Sequence, residues 1–315
     1  MFLPLGFSTH TIMTQFGKMV YYAPQGDPWN EQNTVDSRET LVFLHGLGGG
    51  SSAYEWSKVY PAFATDYRVL APDLIGWGRS DHPARDYQIE DYVDIITEFL
   101  EQTCHGPTAV VASSLTAAFT VRAAINRPDL FKSLILTTVA GLAEFGKDYR
   151  RSTFAQFAQF LDLPFLSQTL YNVGVANSFG IEKFLSDRQF AKSERIYPEL
   201  VEAYLQSAQQ ENAEYAALSF VRGDLCFDLS QYIMHLTTPT AIIWGQGSEF
   251  TNPDIGRRFA EMNSEAIRIF YQIEDVGFTP QLELPGVTIG LIRKFLPLLE
   301  SYRKQQSEDI EMLPV

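Results

Sequence analysis

Four compact apolar stretches, at roughly 41–45, 67–71, 108–113 and 133–138, recur along the first half of this chain, with helical periodicity between them. Between the second and third, Tyr92, Ile95, Ile96, Phe99 and Leu100 fall on one helical face. Continuously apolar strands must be covered on both sides, so the alternation predicts a mostly parallel sheet between layers of helices. Thr11 to Tyr22 reads as an opening hairpin with Gly17 at its turn, and residues 24–39 as a polar loop. After residue 144 the rhythm breaks: residues 145–235 carry helical periodicity (Phe154, Phe157, Ala158 and Leu161 share a face) and no convincing strand. It returns with Thr240–Trp244, a helix bearing Ile255, Phe259 and Met262, and the strand Ala266–Tyr271. A last helix holds Leu291, Ile292 and Phe295, and Pro297 is expected to kink or end it. The expected organisation is one α/β core from 1–144 and 236–304, interrupted by a helical insertion at 145–235 and followed by an acidic tail at 305–315 that should fray.

Composition narrows the function classes. Hydrophobic residues make up 45% of the 315, enough for a sizeable core. A formal net charge of −14 argues against nucleic acid, whose phosphates need a basic face, and weakly against anionic lipid surfaces. Cys104 and Cys226 alone make no disulfide framework, so a reducing compartment is expected. The apolar start Met1–Phe7 is short and lacks a basic flank, and no run approaches the 18 or more apolar residues of a membrane span. The expectation is a soluble, cytoplasmic protein with no cofactor and no metal; the oligomeric state is not legible.

Chemistry enters at Val110–Ala117, a strand that ends on serine and turns directly into a helix. Upstream stand Leu41-Val42-Phe43-Leu44-His45-Gly46-Leu47-Gly48-Gly49 and Asp73-Leu74-Ile75-Gly76-Trp77-Gly78-Arg79-Ser80-Asp81. Downstream come Arg127-Pro128, Trp244-Gly245 and Gly277 through Pro285. In order and spacing these motifs resemble the α/β-hydrolase superfamily, in its cap-bearing, esterase- and lipase-like branch. The resemblance covers most of the chain outside the insertion. It implies an eight-stranded, mostly parallel sheet with helices on both faces and the insertion as a cap. It also implies Ser114 as the nucleophile at a strained elbow, with backbone N–H groups of Leu47 and Leu115 as the oxyanion donors.

The chain departs from the pattern at the partners of that serine. Aligning Gly277-Phe278-Thr279-Pro280 with the family's Gly-His loop puts Phe278 at the histidine, and a phenyl ring takes no proton. The usual spacing for the acid lands on Ser248 or, counted back from Pro253, on Glu249, with Glu144 a further position. Of the five histidines, His10, His82, His105 and His235 read as surface or structural groups, and His45, near the mouth of the site, is the least remote substitute. Lys147 or Lys183 could reach in from the insertion. The elbow itself departs too. The positions flanking the nucleophile by two residues are normally small, and the β-branched Thr116 predicts a relaxed or shifted turn.

Losing the serine or the histidine of a triad costs on the order of 10⁶-fold in turnover, while roughly 10³–10⁴-fold over water persists from the oxyanion hole and binding. The favoured expectation is therefore a weakly active or non-hydrolytic protein with a pocket for an apolar small molecule. The alternative is a serine hydrolase or acyltransferase acting on ester or lipid-like substrates through Ser114 and a non-standard base, or a lyase-type reaction needing only the oxyanion loop. Phe154, Phe157, Phe160, Leu163, Phe165, Leu170, Tyr171 and Phe179 make the insertion rich in aromatic and aliphatic side chains, which suits a hydrophobic acyl or isoprenoid-like ligand. The same rings would also serve simply to pack the insertion on the core. Exposed, they would mark a protein or membrane contact.

Overall fold

A computed structural model of the chain describes residues 3–29, 38–141, 171–247 and 252–311, with side chains to residue 305. Its eight strands are β1 (Phe7–Thr14), β2 (Gly17–Pro24), β3 (Thr40–Leu44), β4 (Arg68–Pro72), β5 (Thr108–Ser113), β6 (Phe131–Thr137), β7 (Thr240–Gly245) and β8 (Ile267–Ile273). They form one sheet in the order β1-β2-β4-β3-β5-β6-β7-β8, antiparallel at the opening hairpin and at β2–β4 and parallel elsewhere. From β3 the chain steps outward to β4, then returns to β5 on the other side and proceeds to β8. The reversal therefore lies between β3 and β5, where Leu44 pairs with Ala112. Open α/β sheets offer a crevice at such a point, because the connections leave the strand ends in opposite directions.

Alternation along the central strands divides the core in two. Val42, Leu44, Val110 and Ala112 face one side, where α1 (Ile89–Thr103) and α2 (Ser114–Asn126) pack. Leu41, Phe43, Val111 and Ile243 face the other, against Ile292, Phe295 and Leu299 of the C-terminal helix. The expected stripe on α1 is buried, and the helix opens with a capping box in which Gln88 N–H donates to the Asp91 carboxylate at 2.8 Å.

Between β6 and β7 the described part of the insertion holds α3 (Ser178–Phe184), α4 (Pro198–Ala208) and α5 (Ala213–Arg222), with no strand among its described residues. Then follow α6 (Pro253–Met262) and α7 (Pro285–Glu311). Two expectations are corrected at the C-terminus. Helix α7 runs through Pro297 because buried Phe295, Leu296 and Leu299 anchor it to the sheet on both sides of the proline. The stretch expected to fray is helical as far as Glu311. Among the described residues no helix is long and apolar enough to cross a membrane.

Candidate active site

Ser113 closes β5 in extended conformation, and Ser114 turns the chain into α2 with φ at +60°. A non-glycine residue held there stores on the order of 1–3 kcal/mol, and the two rigid elements it joins supply the restraint. The relaxed elbow expected from Thr116 is not found. The room comes from the facing loops instead of from residue 116. A methyl group built on Gly46 would lie 3.1 Å from Ser114 Cβ and 3.7 Å from Ser114 Oγ, and one on Gly141 would lie 3.1 Å from Leu115 Cδ1. Thr116 is fully buried at the start of α2, with no partner for its hydroxyl.

Ser114 is 5% exposed, and among the described residues its hydroxyl has no hydrogen-bond partner. The loop aligned with the family's Gly-His loop lies beyond β8, and Phe278 stands in it. Phe278 is buried, 7% exposed, and its N–H donates to the Gln189 carbonyl at 2.7 Å. Gly277 N–H donates to Glu283 at 2.5 Å, and Glu283 also accepts from Ala191 N–H at 3.1 Å and from Arg195 at 3.0 Å. Burial still holds the Glu283 carboxyl above its ordinary range, against those donors. The loop's path is thus fixed by the insertion segment 189–195.

His45 is excluded as a substitute base. Its Nδ1 bonds the Gly46 carbonyl at 2.6 Å and its Nε2 accepts from Leu74 N–H at 3.0 Å, so both nitrogens are occupied. Complete burial lowers its pKa to about 4. His82 is likewise lowered to about 4 by burial, His10 stacks on Tyr21, and His105 and His235 are exposed. Lys183 pairs with Asp187 at 2.6 Å on the surface. Ser248, Glu249, Glu144 and Lys147, with Phe154 to Leu170 of the insertion, lie outside the described residues. No group of three or more His, Cys, Asp or Glu side chains is placed to hold a metal among the described residues.

Sequence reasoning missed a buried polar chain that links Glu55 to Gln281 and Ser113. Glu55, 2% exposed, accepts from Gly46 N–H at 2.8 Å and from the Tyr204 hydroxyl at 3.1 Å. Burial raises its carboxyl, while donors from Ser51, Gly46, Tyr204 and Gln281 pull it back. Gln281 in turn donates to the Ser113 hydroxyl at 3.1 Å. The only signal in the sequence was an acid between Tyr54 and Trp56, in a stretch otherwise suited to a core. Asp73, from the Asp-x-x-Gly motif, is a second buried carboxylate, held by Ala53 N–H, Arg79 N–H and the Tyr22 hydroxyl at 2.7–2.9 Å.

The insertion lies directly on the loop that follows β3. A side chain on Gly50 would strike the Tyr204 backbone, one on Gly49 would strike Val175, and one on Gly48 would meet the Phe184 ring at 3.6 Å. Ser207 of α4 donates to the Ser51 carbonyl at 2.9 Å and accepts from Gly78 N–H at 3.0 Å. Leu47, which follows Gly46, and Leu115, which follows Ser114, are both buried. The Leu47 N–H has no acceptor among the described residues, and that of Leu115 lies in the first turn of α2, where no intrahelical acceptor exists.

Comparison with known proteins agrees with this fold. A family model described as the alpha/beta hydrolase fold matches residues 39–285. The uncharacterised hydrolase YugF of Bacillus subtilis is 25% identical over 285 residues, covering 89% of this chain and 95% of that protein. The karrikin insensitive 2 receptor IA of Petunia hybrida is 25% identical, covering 82% and 90%. Among solved structures, a serine hydrolase involved in carbazole degradation superposes with a TM-score of 0.73 at 17% identity, covering 93% of this chain and 99% of that one.

Proposed function

Since the chain belongs to the α/β-hydrolase fold family, we propose that it binds a small apolar molecule against Ser114 and hydrolyses it weakly or not at all. The observation that carries this reading is the isolated Ser114 hydroxyl: no described group lies within hydrogen-bond reach of it, and a buried phenylalanine stands where the family's base would be. A serine is a poor nucleophile until a neighbouring base takes its proton, so the elbow alone supplies a position without activation. Leu47 and Leu115 would offer two backbone donors to a carbonyl oxygen, and the start of α2 adds favourable potential there. Leu47, Leu115 and Phe278 would bring the apolar surface, and the insertion would act as the cap. That a relative of similar coverage is named a receptor, while another is named a hydrolase, is consistent with both uses of the family's scaffold.

Fluorophosphonate labelling followed by intact mass tests the reading, because such probes report an activated serine. The expected outcome is labelling at least 10³-fold slower than for a triad enzyme, since the hole persists without the base. Rapid labelling that disappears in Ser114→Ala would instead establish a serine hydrolase or acyltransferase with a base of another kind.

A further inference from the structure

Glu55 lies against Gly46 on the face that Gly46 turns to Ser114. A methyl group built on Gly46 would be 3.3 Å from Glu55 Oε2 and 3.7 Å from Ser114 Oγ, so carboxylate and hydroxyl border the same small space. Its partners are neutral donors, and among the described residues it makes no ion pair. The imidazole nearest in sequence to Gly46, His45, accepts a hydrogen bond from Leu74 N–H and so is uncharged. Asp73, which binds Ala53 N–H two residues before Glu55, adds a second buried carboxylate behind the same loop. Arg195, which docks the insertion on the base-side loop, is committed to Glu283 and the Asp275 carbonyl.

From this arrangement we propose that the Ser114 site selects by charge: it admits neutral ligands and turns away anionic ones, with Glu55 as the specificity-determining residue. The inference rests on the reading of the site as an apolar-ligand pocket and names the ligand class, an uncharged carbonyl compound such as an ester, amide or ketone. Tyr204 and Gly46 keep the carboxylate in place, and their hydrogen bonds leave its charge without a counterion. Glu55 Oε2 and Ser114 Oγ, 3.3 and 3.7 Å from a methyl group built on Gly46, lie no more than about 7 Å apart, so an anionic head beside the Ser114 hydroxyl would stand close to that charge. At an effective dielectric near 20, repulsion over about 7 Å costs roughly fiftyfold in affinity. The N-terminus of α2 is buried here and offsets up to roughly thirtyfold of this. Repulsion therefore wins by about twofold.

Ligand-observed NMR titration at pH 8 with octanamide, octanoate and octylammonium tests the proposal on the whole chain. Octanamide is expected to bind about twofold or more tighter than octanoate, and Glu55→Gln to shift that ratio toward octanoate by tenfold or more while the protein stays folded by circular dichroism. Octylammonium, which pays a desolvation cost comparable to that of octanoate, is expected to bind the wild type more tightly than octanoate does. That comparison decides the matter even where Glu55→Gln does not fold. Equal binding of octanamide and octanoate, a ratio unchanged in folded Glu55→Gln, or octanoate binding tighter than octylammonium would each overturn charge selection alone. Binding by none of the three would overturn the apolar-ligand reading, and this inference with it.

Discussion

The elbow at Ser114 and the loop from Asp275 to Glu283 are both held by several contacts, and they differ in the side chains they offer. At the elbow the strained backbone, the facing glycine and the buried helix start are all present. In the loop the backbone is held as firmly, by Gln189, Ala191 and Arg195, yet the side chain it presents is a phenylalanine. Backbone geometry is set by many contacts at once, so a single substitution leaves it standing. Proton transfer depends on one side chain, and one substitution removes it.

The largest effect is expected from loosening the loop. Arg195 joins the Asp275 carbonyl at 2.6 Å to the Glu283 carboxylate at 3.0 Å, and the Glu283 side chain is wholly buried. Removing one partner of a buried pair costs about 3–5 kcal/mol; Arg195 is itself a fifth exposed and two N–H donors remain on Glu283, so Arg195→Ala should cost about 3 kcal/mol. Urea denaturation measures it, and a loss below about 0.5 kcal/mol would mean the insertion does not hold this loop. Next comes restoring the missing chemistry. In a triad enzyme, loss of the acid alone is roughly 10²-fold milder than loss of the histidine, so a serine–histidine pair without its acid retains about that advantage. Phe278→His should therefore raise fluorophosphonate labelling of Ser114 by about 10–10²-fold. No rise in a folded variant would show that the loop keeps its path without keeping its aim.

What could be read from the chain follows the same division. The strands and the positions of Ser114 and Phe278 were legible because each is written in a short contiguous segment with its own periodicity or motif. Glu55 was not, because its meaning depends on Tyr204, 149 residues away, and on Gln281 in a third segment. Thr116 was misread for a related reason: the space it needs is left by Gly46 and Gly141, on loops that meet the elbow only in the fold. Pro297 does not end α7, because burial of Phe295, Leu296 and Leu299 holds the helix on both sides of it. Ser248 and Glu249, outside the described residues, keep the standing that spacing alone gives them.

Two smaller effects sharpen the contrast. If the elbow stores strain, Ser114→Gly should relieve part of it, because glycine adopts positive φ without a Cβ clash. The gain should be about 1 kcal/mol, less whatever the freer unfolded chain takes back, and thermal unfolding should rise by about 1–3 °C. An unchanged or lower midpoint would mean that the facing loops absorb the strain. The smallest effect is a slope with pH. Glu55, Asp73 and Glu283 are all raised by burial in the folded protein, so the folded state binds more protons than the unfolded one between their ordinary and raised values. Stability contributed by such groups is present below the unfolded value and falls as pH rises through the folded one. The surface carboxylates Asp129, Asp187 and Asp275, lowered by their cationic partners, push the other way, toward loss on acidification, but only below the ordinary carboxylate value. Above that value the buried set governs the slope: Glu55→Gln should make the melting temperature climb more steeply, or fall less steeply, with pH than in the wild type. Parallel curves for the two proteins would place Glu55 as equally protonated in the folded and unfolded states, and the elbow would then border a carboxyl group whose charge folding does not perturb.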